Sequence, residues 1–135
     1  MDHLEISKAV RNWFKAVTDQ IDEEKLLAML SSNGFALRFP EATLTDRDSF
    51  SRWYKGIRLA FFDQSHTIRH MEIASDGTRA NLSIWVNWQA RTRPEGSSQS
   101  KQCDFDAMQK WEMANEKGVW VIVSYDVVDL FDNIG

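Results

Sequence analysis

Residues 64–88, QSHTIRHMEIASDGTRANLSIWVNW, decide the fold. From Gln64 onward apolar side chains recur at every second position, the spacing of a strand with one buried face. Asp76-Gly77 separates two such runs, and this dipeptide is a strong hairpin signal because glycine takes a positive φ without steric cost. The pattern predicts strands over about 64–75 and 78–92, with Ala80, Leu82, Ile84, Val86 and Trp88 on one face of the second. The first strand breaks its own alternation: Ile68 has the opposite parity to Met71 and Ile73. One extra residue near Arg69, a β-bulge, restores a single apolar face. It turns His66 inward with Ile68 and His70 outward. The two histidines are therefore not expected to share a metal ion, for which zinc would want three or four protein ligands. Neither a metal nor a cofactor is expected.

Downstream, TRPEGSSQSK at 92–101 reads as the polar tip of the next hairpin. A strand over about 102–114 sets Cys103, Phe105, Ala107, Gln109 and Trp111 on one side, and NEKG turns the chain back. The last strand, about 118–131, is apolar on both faces. Val119, Val121, Val123, Tyr125 and Val127 alternate with Trp120, Ile122, Ser124, Asp126 and Val128. A strand covered on both sides implies helices on one face and a second subunit on the other, so the valine-rich row predicts a homodimer through the outer sheet face.

Upstream the period is helical. Ile6, Val10, Trp13, Phe14 and Val17 make the buried stripe of a helix over 3–19. Asp22 offers a cap for a second helix carrying Leu26, Leu27, Met29 and Leu30, ended by Asn33-Gly34. FALRFP reads as a short strand stopped by Pro40. Leu44 and Thr45 offer a staple and cap for a third helix, whose stripe is Phe50, Trp53, Tyr54, Ile57 and Phe61. Helices followed by long strands predict an α+β fold, three N-terminal helices packed on a curved, mostly antiparallel sheet, as one domain over 1–135.

Composition narrows the function. Sixteen basic against twenty acidic residues, scattered rather than striped, argue against nucleic acid as a partner. The longest apolar run, VWVIV at 119–123, is too short for a membrane span of about 20 residues. A single cysteine, Cys103, and no secretory pattern at the N-terminus give the expectation of a cytoplasmic protein. Cys103 has no histidine at a spacing that suggests a nucleophile. Six tryptophans and eight phenylalanines must fill a core or line a cavity.

VRNWF in the first helix, GFALRFPE before the third, WYKGI within it, and FDAMQKW and VIVSYDVVDL in the last strands together resemble the nuclear transport factor two-like superfamily. Its SnoaL-like polyketide cyclase and ketosteroid isomerase branches are the most similar in pattern. The resemblance spans nearly the whole chain and implies a cystatin-like cone, a bent sheet around helices, with an apolar pocket at its open end. It implies that a small hydrophobic or aromatic ligand is the partner, and that Trp13, Phe39, Trp53, Tyr54, Trp88, Phe105, Ala107 and Trp111 line the pocket where they do not simply build the core. Isomerase relatives work with a tyrosine on the first helix and two acids. Those positions fall at Trp13, Phe39 and Ala107, none of which ionises, so steroid isomerisation is not expected.

His66 and Asp126 are the expected catalytic groups. His66 is either a pocket-facing acid–base group or a core histidine bonded to a neighbour. Asp126 is either a carboxylate facing the pocket or a rim residue paired with an arginine. The function expected is cofactor-free acid–base chemistry: dehydration, cyclisation or isomerisation. A non-catalytic binding module, or a structural subunit of a larger complex, is the alternative.

Overall fold

The centre of the molecule is a straight antiparallel ladder between β4 (Arg79–Thr92) and β5 (Lys101–Glu116), which runs in one unbroken register from Arg79↔Ala114 to Thr92↔Lys101. Strand β3 (Phe61–Ser75) flanks it on one side and β6 (Val119–Asp132) on the other. Beyond β6 lie β1 (Ala36–Arg38), parallel to it, and β2 (Thr43–Leu44), giving one six-stranded sheet in the order β2-β1-β6-β5-β4-β3. The structure, a computed structural model, describes residues 2–94 and 96–135. The α+β architecture is the one expected.

Both flanking strands carry the irregularities. In β3 the register shifts at Arg69, between Ile68↔Val86 and His70↔Trp85, and again between Phe62 and Ser65, where Asp63 takes φ 51°. In β6 it shifts twice: Val123 is extra between Ile122↔Met113 and Ser124↔Glu112, and Val128 is extra between Val127↔Gln109 and Asp129↔Met108. Each extra residue increases the local twist and bends its strand. A regular pair with bulged strands on either side forms a curved sheet with a concave face.

The hairpin turns follow their residues. Asp76 accepts from the backbone N–H groups of Thr78 and Arg79, and Gly77 supplies φ 93°. Lys117 and Gly118 join β5 to β6 with φ values of 54° and 86°, the doubly left-handed turn that suits strand twist.

The concave face is filled by α1 (Asp2–Thr18), whose Ile6, Val10, Trp13, Phe14 and Val17 are all buried. Each such side chain contributes about 1.5–3 kcal/mol of hydrophobic stabilisation. Helix α3 (Arg47–Ala60) adds Phe50 and Tyr54. Its cap is Asp46 rather than Thr45. The Asp46 carboxylate accepts from Ser49 N–H at 2.8 Å, and Ser49 Oγ lies 3.2 Å from the Asp46 N–H that donates to it. Helix α2 (Glu23–Leu27) is a single turn, shorter than its apolar spacing suggested. Leu30 instead makes a parallel bridge to Ile122, which draws the segment away from helix onto the sheet. Among the described residues no helix is long and apolar enough to cross a membrane.

Two pocket assignments and one surface assignment are corrected here. Tyr54 and Trp111 do not line a cavity; they are core. Tyr54 donates its hydroxyl to the Ile21 carbonyl at 2.5 Å, and Trp111 lies between Phe14 and Tyr125 with its indole N–H on Gln109. The row Val119, Val121, Val123, Tyr125 and Val127 does not stay on the outer face. The bulge at Val123 exchanges inside for outside, so Tyr125 and Val127 turn inward opposite Trp111 and Gln109.

A candidate active site in the concave face

Between α1, α3 and the open half of the sheet lies a cavity of about 400 Å³. Strands β3, β4 and β5 place His66, Trp88 and Phe105 side by side on its floor, since His66↔Trp88 and Trp88↔Phe105 are register partners. Phe39 and Trp53 make another wall. Their rings stack at 4.5 Å and 9°. Six of the eight expected lining residues are present: Trp13, Phe39, Trp53, Trp88, Phe105 and Ala107. The three positions where the isomerase resemblance asks for working groups, Trp13, Phe39 and Ala107, do open on one cavity, and they bring no ionisable group to it.

The bulge at Arg69 places His66 as the parity conflict predicted. The imidazole enters the cavity wall, stacked on Phe14 at 5.5 Å and 27°, and its Nδ1 lies 2.8 Å from Thr18 Oγ1. Burial lowers its pKa from 6.5 to about 4, because desolvation penalises the charged imidazolium. His66 is thus neutral at pH 7. In the tautomer with Nδ1 protonated, Nδ1 donates to Thr18 and Nε2 carries a free lone pair; in the other, the Thr18 hydroxyl donates to Nδ1 and Nε2 holds the proton. His70 goes to the outer face, where Nε2 lies 3.0 Å from Glu72.

Asp126 is not in this cavity. It is the parallel neighbour of Arg38, whose guanidinium donates to its carboxylate at 2.8 Å, in a partly exposed pair at the sheet's rim. The reason is again the bulge at Val123, which gives Tyr125 the inward position that a regular strand would give Asp126.

Four polar lining residues were not singled out in the sequence. Gln64 and Gln109 are both buried, and each accepts an indole N–H through Oε1, from Trp88 at 3.0 Å and from Trp111 at 2.9 Å. Tyr125 is buried and lines the cavity. Burial pushes its hydroxyl well above the usual range, and Gln109 and Trp13 oppose that rise. Glu41 completes the set and is exposed. Among the described residues three buried donors have no partner: Trp53 Nε1 and Gln64 Nε2 on residues of this cavity, and Trp120 Nε1 outside it. Gln109 had a sequence signal, a polar residue at an inward position among Phe105, Ala107 and Trp111. A separate hollow of about 300 Å³ opens between α1 and the β5–β6 turn, floored by Met29, Met113 and Trp120.

Neither a scan of protein-family models nor a search of curated proteins finds a match to this chain. Solved structures do match. An aromatic ring hydroxylase, so named provisionally, from Novosphingobium aromaticivorans superposes with a TM-score of 0.82 at 11% identity, over 98% of this chain and 94% of the other. A hexachlorocyclohexane dehydrochlorinase gives 0.79 at 11%, over 97% and 88%. A provisionally named scytalone dehydratase, also from N. aromaticivorans, gives 0.76 at 18%, over 97% and 87%. Others of the same shape are described as NTF2-like, ketosteroid isomerase-like or cystatin-like. The chain therefore has the nuclear transport factor two-like, cystatin-like fold over essentially its whole length.

Proposed function

We propose that the concave cavity binds a small, flat, hydrophobic molecule and that His66 moves a proton on it without a cofactor. One observation carries this reading: a neutral imidazole, bonded to Thr18, stands in the wall of a mostly apolar cavity rich in aromatic rings. A base in such a place is free of its proton at neutral pH, and the aromatic walls hold a planar substrate against it. Nε2 takes the proton from carbon beside a carbonyl, the C–H electron pair moves into a C=C bond, and the carbonyl becomes an enolate. Returning the proton to another carbon gives isomerisation; losing a group from the neighbouring carbon gives elimination. Two of the neighbours in fold are named for eliminations, which supports the same class.

The test is hydrogen exchange on 2-tetralone, a flat ketone with acidic α-protons. In D2O the protein should accelerate loss of its α-proton signals above the buffer rate, and His66→Gln should abolish the acceleration. Binding without acceleration would leave the second reading, a binding module. That reading is favoured by the Thr18 hydroxyl being the only hydrogen-bond partner of His66 among the described residues, with no carboxylate behind it.

A homodimer, on this reading, uses the outer sheet face first inferred, but through other residues than the valine row. Trp85 and Met108 are register partners there and are substantially exposed, with Val128 near them in the bulge of β6. Sedimentation equilibrium at micromolar concentration should give twice the chain mass, and a monomer would exclude it.

A further inference from the structure

We propose that Asn33-Gly34 is a site of spontaneous covalent modification, at which the Asn33 amide is lost to give aspartate and isoaspartate, and that the new carboxylate unfastens the α2–β1 connection from Glu116.

Glu116 stands at the other end of β5 from Phe105 and anchors that connection. Its carboxylate accepts from Ser31 Oγ at 2.5 Å, from the Ser32 N–H and hydroxyl at 3.4 and 3.2 Å, and from Asn33 Nδ2 at 3.4 Å. Three consecutive residues thus hang on one side chain, a short distance ahead of β1 and its buried Leu37. The bond from Ser31 does most to hold the Glu116 carboxyl below its usual range, so the anchor is negative at pH 7.

Asn33 is open to attack by its own backbone. The next residue is glycine, so no side chain crowds the nitrogen of position 34, and both residues are exposed and outside helix and strand. Gly34 takes φ 115°, and its N–H has no acceptor among the described residues. Asn33 Nδ2 is held by the long bond to Glu116 alone. Once hydroxide takes the Gly34 amide proton, the nitrogen pair attacks Asn33 Cγ and closes a cyclic imide. The Cγ–Nδ2 bond breaks, and Nδ2 leaves with its electrons and a proton from water as ammonia. Water then opens the imide at one of its two carbonyls, giving aspartate at position 33 or isoaspartate. One water is consumed and one ammonia released, with nothing oxidised or reduced.

The other asparagines are placed differently. Asn12, Asn81, Asn87, Asn115 and Asn133 all precede residues with side chains. The Asn133 amide is moreover held by Asp104 and Asp106 at 2.9 and 3.0 Å. Asp76-Gly77 can close the same ring, but its carboxylate accepts from the Thr78 and Arg79 N–H groups and stays ionised, which makes it a poor electrophile. At Asn33 the conversion exchanges an N–H donor for a negative charge beside Glu116, where like charges repel. Isoaspartate also adds one atom to the backbone ahead of β1.

The experiment holds folded wild-type protein at mildly alkaline pH and follows its tryptic peptides by mass. Peptide 26–38 should gain the amide-to-acid mass difference before the peptides carrying the other asparagines, faster as pH rises, and should resolve into two species of equal mass. Conversion first at another asparagine, or an aspartate form alone, would overturn the site. Asn33→Asp reports the consequence: its melting midpoint at pH 7 should fall by about 1–4 °C, and the fall should at least halve in a Glu116→Gln background. An unchanged midpoint, or an equal fall without Glu116, would overturn the unfastening. Should the Glu116→Gln background fail to fold, Asn33→Ser takes its place, losing the amide without gaining charge. It should fall less than half as far as Asn33→Asp, and equal falls would overturn the role of the charge.

Discussion

Thr18 and His66, 48 residues apart in sequence, meet at 2.8 Å across the gap between α1 and β3, and the hydroxyl is the imidazole's only hydrogen-bond partner among the described residues. A hydroxyl orients a ring without compensating its charge. The folded pKa of His66, about 4, therefore lies below the unfolded value of 6.5. Between those values the unfolded chain holds the extra proton, so this group's contribution is fully present above pH 6.5 and is lost as pH falls toward 4. The loss amounts to up to about 3 kcal/mol. In denaturant titrations His66→Gln should lose less stability than wild type between pH 7 and 4.5. Parallel losses would show that His66 protonates freely in the folded state.

Asp126→Asn should change stability by less than about 1 kcal/mol at neutral pH, in the destabilising direction, because the pair with Arg38 is partly exposed. Its affinity for 2-tetralone should match wild type. A variant that binds the ketone differently would place the carboxylate in the cavity's chemistry.

Zinc should not raise the melting temperature. His66 lines the cavity and His70 faces outward beside Glu72, with the Arg69 bulge between them. A reproducible zinc-dependent gain that disappears in both His66→Ala and His70→Ala would mean that the strand is not bulged as described.

Carboxylated ligands should bind poorly. Among the described lining residues Glu41 alone carries a fixed charge at pH 7, and it is negative. Calorimetry should show 2-naphthoate binding at least about tenfold more weakly than its methyl ester, the gap narrowing in Glu41→Gln and in high salt. Tighter binding of the acid would reveal a cation that reaches the cavity.

A 5-ene-3-ketosteroid should not be isomerised at a rate above buffer, since Trp13, Phe39 and Ala107 occupy the cavity positions where working groups would be required. Turnover abolished by His66→Gln would show that one imidazole suffices.

The bulge in β3 was legible because Ile68, Met71 and Ile73 cannot share a face on a regular strand. The bulges in β6 were not, for a physical reason: the extra residues are Val123 and Val128, and valine suits either face, so neither alternation conflicts with burial. The misplacement of Asp126 and Tyr125 follows from that silence alone. The cap of α3 was displaced by one residue because Thr45 and Asp46 both have capping side chains, and only the position of Ser49 at the third helical residue distinguishes them. Gln64 escaped notice because glutamine is ordinarily a surface residue, and its burial depends on Trp88 reaching it from the next strand.

β6 spends two more residues than β5 over the span they share, and this surplus is a reserve of length. Losing the codon for Val123 or for Val128 would let the strand close up into regular pairing while Tyr125, Val127 and Leu130 kept their inward positions. On an ordinary strand a one-residue deletion would turn the wall inside out. What such a deletion would remove is bend. The bend of the wall is thus supplied in part by residues inserted between those that face the cavity, and gaining or losing single residues in the flanking strands would change that bend with every wall residue left unchanged.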